Sequence, residues 1–130
     1  MFNVFFIFEF YTQIQFELEI FINKADIPMS KIINKPIVMI DFETTGLNPA
    51  NGDRVTEVAA LRIVDGDVVD RFVSLINCNV YIPSFITQLT GITQKMVSGA
   101  PPAKEVIPEL LQFIGTDTLS AHRASFDEKF

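Results

Sequence analysis

The sequence predicts an α/β domain built on a mixed β-sheet, with elements in the order β-β-β-α-β-α. An apolar run at residues 37–40 indicates a buried central strand. Two β-rich runs, residues 54–64 and 68–75, are joined through Asp65-Gly66, which strongly favours a hairpin. A helical pattern and a fourth strand come later in the chain. Because a helical crossover normally joins parallel strands, the sheet should contain both antiparallel and parallel neighbours.

Composition limits the class of protein. The chain has 130 residues, enough for one hydrophobic core, and it is 48% hydrophobic and 20% charged, as in globular domains. The net charge of -6 provides no broad basic surface for nucleic acid. The single Cys78 excludes an internal disulfide and favours a reducing, cytoplasmic location. The most apolar stretch, residues 2–22, is interrupted by Asn, Gln and Glu and therefore predicts no membrane span.

We divide the chain into a Phe-rich N-terminal extension, residues 1–28, and a domain from residue 29 to residue 130. Residues 13–22 alternate between apolar and polar side chains, which predicts a strand with one solvated face. The extension is either an added edge strand or upstream sequence translated ahead of a natural start at Met29. We favour the second interpretation, because "MSKIINKPIVMIDFETTG" is typical of a complete beginning.

Helices are predicted in the second half of the chain. Residues 81–96 indicate a short helix followed by a turn at Gly91. After Pro101-Pro102, apolar side chains recur at helical spacing and Gly115 is a suitable stop. They are Val106, Leu110, Phe113 and Ile114.

Two further features of the helical half concern where helices begin. Pro108 predicts that the regular part of the long helix begins late. Residues 119–122 indicate a strand, after which Ser125 should begin a helix, since Ser125 and Glu128 have the spacing of a capping box.

The chemistry is concentrated in "VMIDFETTGLNP", where an apolar strand ends in Asp41 and Glu43. Alternation along the strand places both carboxylates on one side, where their repulsion would be relieved by a cation such as Mg²⁺ or Mn²⁺. Solvated acids at the end of a strand are the simpler alternative. A phosphatase with an aspartyl nucleophile would need a helical crossover after this strand, whereas a hairpin follows.

Four segments together resemble one family. They are "VMIDFETTGLNP", "DRVTEVAALRIVDGDVVDRFVSLIN", "IPSFITQLTGIT" and "SAHRASFDEKF", spread from about Pro36 to Phe130. This order resembles the DEDD superfamily of 3′–5′ exonucleases, and most closely the group similar to the proofreading epsilon subunit of bacterial DNA polymerase III. The resemblance implies a partial ribonuclease H-like fold, hydrolysis of phosphodiesters with two divalent metal ions, and a single-stranded 3′ end as substrate. DNA is favoured over RNA, and a polymerase subunit is an expected partner.

The same resemblance assigns roles to individual residues. Asp41 and Glu43 correspond to the first exonuclease motif and Asp127 to the second, so all three are expected metal ligands. Thr44 is expected to contact the 3′-terminal nucleotide. The "LTGI" stretch is expected to contact the last base, through Leu89, Thr90 and Ile92.

The resemblance leaves alternatives and departures. Asp127 taken alone is better explained as an acid favoured by a helix N-terminus. His122 and Asp127 have the H-x4-D spacing of the third motif, but we assign them to the second motif, with His122 structural. Arg123 stands where the family usually has Asn, and the general base of the third motif has no counterpart. We therefore expect the chain to hold the N-terminal part of the domain and to show no appreciable exonuclease activity alone. The alternative is a non-catalytic remnant that binds metal or nucleotide.

Overall fold

The computed structural model describes residues 35–121 and 124–130. Four features of the sequence lie outside these ranges: the predicted strand at residues 13–22, the proposed start at Met29, His122 and Arg123. The elements are β1 (Ile37–Thr44), a 3₁₀ turn (Pro49–Asn51), β2 (Val55–Val64), β3 (Asp67–Leu75), α1 (Ser84–Thr90), α2 (Gln94–Ser98), α3 (Ala103–Ile114), β4 (Thr118–Ala121) and α4 (Ala124–Asp127).

The four strands form one mixed sheet in the order β3-β2-β1-β4. β1 pairs antiparallel with β2 and parallel with β4, and β2 pairs antiparallel with β3. β1 is therefore an inner strand, and Val38, Met39 and Ile40 are buried on both of its faces. The predicted α/β class, mixed sheet and buried first strand are confirmed.

The β2–β3 hairpin turns at the predicted dipeptide. Asp65 and Gly66 both have positive φ, 54° and 86°, as the type I′ turn that suits strand twist requires. The turn fixes one end of the sheet, and the acids of β1 lie toward the opposite end.

The sheet has a different apolar cluster on each face. On the first face, Val106 and Leu110 of α3 pack against the sheet residues Val38, Ile40, Val58 and Ala60. The second face carries Met39, Ala59, Leu61 and Ile63. Because side chains alternate along a strand, Asp41 and Glu43 continue the row of Met39, on the face opposite α3.

Two predictions about helix starts are wrong. α3 begins at Ala103 and continues through Pro108, because the buried side chains of Val106 and Leu110 hold both sides of the proline to the core. Pro108 has no backbone N–H to donate, and the hydrogen bond that is missing for this reason lies on an exposed side of the helix. Ser125 lies inside α4, which begins at Ala124, so Ser125 is not the capping residue.

The connection between β3 and α3 contains two short helices, of which only α1 was predicted. α1 ends at Thr90, and the following Gly91 has a φ of 74°, which suits a helix stop. α2 is only five residues long, and the hydroxyl of Thr93 caps it by accepting the N–H of Met96. No helix in the described ranges is long and apolar enough to cross a membrane.

Candidate functional site

The acids of β1 lie where the strand approaches the loop to β2. Asp41 is opposite Ala59 on β2, and Glu43 is opposite Glu57. Glu57 adds a third carboxyl group to the same face. The structure therefore places Asp41 and Glu43 on one side of the sheet, as predicted, and adds a residue that the sequence analysis did not identify.

Glu57 could not be located from the sequence alone. The available signal was an acid inside an otherwise apolar strand, "VTEVAALRIV". Its position depends on the register between β1 and β2, which are separated by the loop of residues 45–54. Pairing across such a loop is set by tertiary packing, not by a local turn rule.

Burial and the charges of nearby acids raise the pKa of two glutamates, Glu43 and Glu57. The pKa of Glu43 rises from 4.5 to about 7, first because of burial and then because of the negative charges of Asp41, Glu57 and Asp127. The pKa of Glu57 also rises to about 7, through burial and the charge of Asp41. Perturbed acids of this kind are concentrated at functional sites.

Asp127 approaches the same site from α4. Its side chain is 6% exposed, and its charge contributes to the raised pKa of Glu43. It also lines an open cavity of about 360 Å³. The other lining residues are Ile40, Phe42, Leu119, Ser120, Ala121 and Glu128.

The loop after β1 is held by its own hydrogen bonds. The Thr44 hydroxyl donates to the carbonyl of Gly46 at 2.6 Å. The N–H of Thr45 donates to the carbonyl of Arg54, and the N–H of Arg54 donates to the Thr45 hydroxyl. Thr44 is buried, so its side chain shapes the loop that presents the exposed Leu47.

The three predicted contacts in "LTGI" have different environments. Ile92 belongs to a core cluster with Ile82, Ile86 and Val97. The buried Thr90 hydroxyl donates to the carbonyl of Ile86 and accepts the N–H of Ile92. Leu89 is 79% exposed, and it is the member of the three that is accessible to a ligand.

Carboxylate oxygens are the ligands that Mg²⁺ and Mn²⁺ prefer, so Asp41, Glu43 and Asp127 fit such an ion in their donor chemistry. In the described ranges, no three Asp, Glu, His or Cys side chains already form a cage for one ion. Asp41 and Asp127 are near enough to Glu43 for their charges to raise its pKa.

The fold defines the class of protein, since this mixed sheet is that of ribonuclease H-like exonucleases. The family described as Exonuclease (RNase_T) matches residues 38–130. The chain belongs to this exonuclease family.

Curated relatives and solved structures agree with this assignment. The chain is 44% identical over 93 residues to a DNA polymerase III PolC-type protein of Clostridium perfringens, covering 72% of this chain and 6% of that protein. It is 42% identical over 93 residues to the 3′-5′ exonuclease DinG of Bacillus subtilis, covering 72% of this chain and 10% of that protein. The chain thus spans a tenth or less of the length of these relatives.

Among solved structures, exonuclease X in complex with 5′ overhanging duplex DNA is similar, with a TM-score of 0.61 and 30% identity. The match covers 72% of this chain and 52% of that one. A product-bound exonuclease I has a TM-score of 0.62 at 18% identity, covering 73% of this chain and 24% of that one. The second likeness concerns the fold alone.

Proposed function

We propose that this domain acts as a metal-dependent 3′–5′ exonuclease that removes nucleotides from nucleic-acid 3′ ends. The proposal is supported by the charges of Asp41 and Asp127, which act on Glu43 near the end of β1, within the segment that matches the exonuclease family. A half-buried glutamate whose pKa is raised by neighbouring carboxylates, as that of Glu43 is, indicates a place for a cation.

In this proposal Asp41, Glu43 and Asp127 hold Mg²⁺ or Mn²⁺, with two ions in the complete site. When bound, such ions activate water and stabilise the leaving oxygen. The chain's own residues hold the carboxylates in place: β1 is paired on both sides, and the hydrogen bonds of Thr44 and Thr45 fix the following loop.

For the substrate we propose a single-stranded 3′ end, DNA in preference to RNA. The preference is supported by the similarity to a DNA polymerase III protein and to DinG. We also propose a polymerase as partner and the cytoplasm as location.

The surface for the bases is proposed to include Leu89 and Leu47. Leu89 and Leu47 are 79% and 76% exposed, and apolar side chains can pack against a base. Residues 76–94 carry no charged side chain. Nucleic acid bound along this segment would therefore not be repelled by its side chains, although the protein as a whole is acidic.

A second candidate, a non-catalytic module that binds metal or nucleotide, is favoured by one observation. No three ligand side chains in the described part of the chain are arranged around one ion. Such a module would bind a 3′ end without releasing mononucleotides.

Fluorescence anisotropy tests the 3′-end proposal with a 5′-labelled single-stranded DNA, ending in 3′-OH or 3′-phosphate, with and without Mn²⁺. We expect Mn²⁺-dependent binding that favours the 3′-OH end and is lost in Asp41→Ala. Equal binding of both ends, or binding that ignores Mn²⁺, would contradict the proposal.

Digestion of the same DNA tests for catalysis, because the exonuclease candidate predicts Mn²⁺-dependent release of mononucleotides and the non-catalytic module predicts none. Release that Asp41→Ala abolishes would establish catalysis in this chain and exclude the non-catalytic module.

A further inference from the structure

We infer that Glu57 is a positioning residue of the divalent-cation site, acting across the sheet on Glu43. The inference rests on the proposed cation site and adds to it a residue that belongs to neither the first nor the second exonuclease motif.

The register between β1 and β2 places Glu57 beside Glu43. Glu43 and Glu57 are direct partners in the antiparallel ladder between β1 and β2, where side chains on one face stand roughly 4.5–5.5 Å apart at Cβ. Like charges in such a pair are destabilising. Leu75 of β3 is the next residue in the same row, so β3 places no positively charged side chain beside Glu57.

The surroundings of Glu43 and Glu57 do not neutralise their charges. Both glutamates are only partly exposed. Within the described residues, no hydrogen bond or ion pair involves the carboxyl group of Glu43 or Glu57. The ion pair that these residues do contain joins Arg62 to Asp117. A half-buried like-charge pair without a proton donor or a basic neighbour is costly to keep, and a bound divalent cation would offset that cost.

The position of Glu57 defines its role. On β2 it faces Glu43 from the side away from β4, so its repulsion directs the Glu43 carboxylate away from β2 and toward the side of the sheet on which β4 lies. Glu57 thereby holds a proposed ligand in an orientation suited to the ion and adds a negative charge that attracts it. Mutation of residues that orient metal ligands through hydrogen bonds typically changes affinity by 10- to 100-fold, which sets the scale expected for Glu57.

Calorimetric titration with Mn²⁺ at pH 8 tests the inference in the full chain. We expect Glu57→Gln to weaken Mn²⁺ binding by about tenfold or more, and Glu57→Asp, which keeps the charge, to recover part of the loss. Glu109→Gln on the exposed side of α3 is the matched control and should bind as the wild type does.

Thermal unfolding of the same proteins supplies a readout that a purely structural residue would not give. Without metal, Glu57→Gln should melt above the wild type because repulsion is relieved, while its gain on adding Mn²⁺ should be smaller. Equal Mn²⁺ affinity in wild type and Glu57→Gln, or a Glu57→Gln chain that does not fold, would overturn the inference. A wild type that binds no Mn²⁺ would instead contradict the proposed function.

Discussion

Gly46 lies directly against the carboxyl group of Asp53. A Cβ at position 46 would stand 2.4 Å from the Asp53 Cγ and from both of its carboxylate oxygens. The Asp53 carboxylate is itself held in place, since it accepts the N–H of Asn48 at 2.9 Å. The glycine after the paired threonines is therefore required by close approach across the loop, at the point where β1 presents its acids.

Gly46→Ala should destabilise the protein by about 1–3 kcal/mol, because the added methyl group overpacks the loop. Urea unfolding measures the change. In the Asp53→Ala background the clashing atoms are absent, so the same substitution should cost much less. Gly99→Ala is the control, since a Cβ there meets only ordinary contacts, the nearest at 3.8 Å. An equal cost of Gly46→Ala in both backgrounds would refute the explanation.

Raised pKa values predict how stability depends on pH in the metal-free protein. Glu43 and Glu57 have pKa values of about 7 when folded against 4.5 for the ordinary group. Between these values the folded protein holds more protons than the unfolded chain, so the contribution of these residues to the free energy of unfolding falls as pH rises from about 4.5 to 7.

The matched comparison is the double variant Glu43→Gln/Glu57→Gln. Relative to this variant, the wild type should lose stability over that pH interval and then remain level above it, as measured by urea unfolding at several pH values. A wild type that gains stability relative to the variant over the interval would show that the two carboxyl groups are not raised in pKa.

Arg62 ties β2 to the C-terminal end of α3. Its guanidinium donates to the carbonyl of Phe113 and pairs with Asp117, and it lies 5.0 Å from the centre of the Phe113 ring. Arg62→Met should lower the free energy of unfolding by about 1.5–3 kcal/mol, the usual contribution of hydrogen bonds to charged groups. Arg71→Met, on an exposed site of β3, should change it little. Equal effects in urea unfolding would contradict this role.

Leu89 supplies a prediction for the proposed 3′-end contact. Leu89→Ser should weaken binding of the labelled DNA about tenfold, because the exposed leucine loses apolar contact with a base. Leu111→Ser on α3 is the control, since Leu111 is also exposed, at 61%, but lies outside the "LTGI" stretch. Unchanged affinity in the Leu89→Ser variant would remove this residue from the proposed surface.

Local rules predicted the parts of the fold that local chemistry determines. Asp65-Gly66 specifies its own turn, and the apolar run of residues 37–40 specifies an inner strand, so both were predictable from a few letters. α2 was missed because its five residues carry little periodicity. The late helix start predicted from Pro108 was wrong because the packing of α3 against the sheet outweighs the local preference of proline.

The site was predictable only in part for the same reason. Asp41 and Glu43 are two residues apart on one strand, so alternation alone places them together. Their relation to Glu57 depends on the β1–β2 register, and the approach of Asp127 depends on how β4 and α4 are placed beside β1. These are long-range relationships, to which no local sequence pattern corresponds.

The central claim is that a divalent cation binds among the acids at the end of β1. Paramagnetic broadening by Mn²⁺ in an NMR spectrum of the backbone amides tests it most directly. The hairpin at the far end of the sheet is an internal control: it also carries acids, Asp65 and Asp67, and lies about seven residues along β2 from Glu57, roughly 23 Å.

At substoichiometric Mn²⁺, the amide signals of residues 41–44 and of Asp127 should broaden first, while those of the hairpin keep their intensity, and Asp41→Ala should remove the difference. Broadening centred on the hairpin, or spread evenly over the chain, would contradict the account.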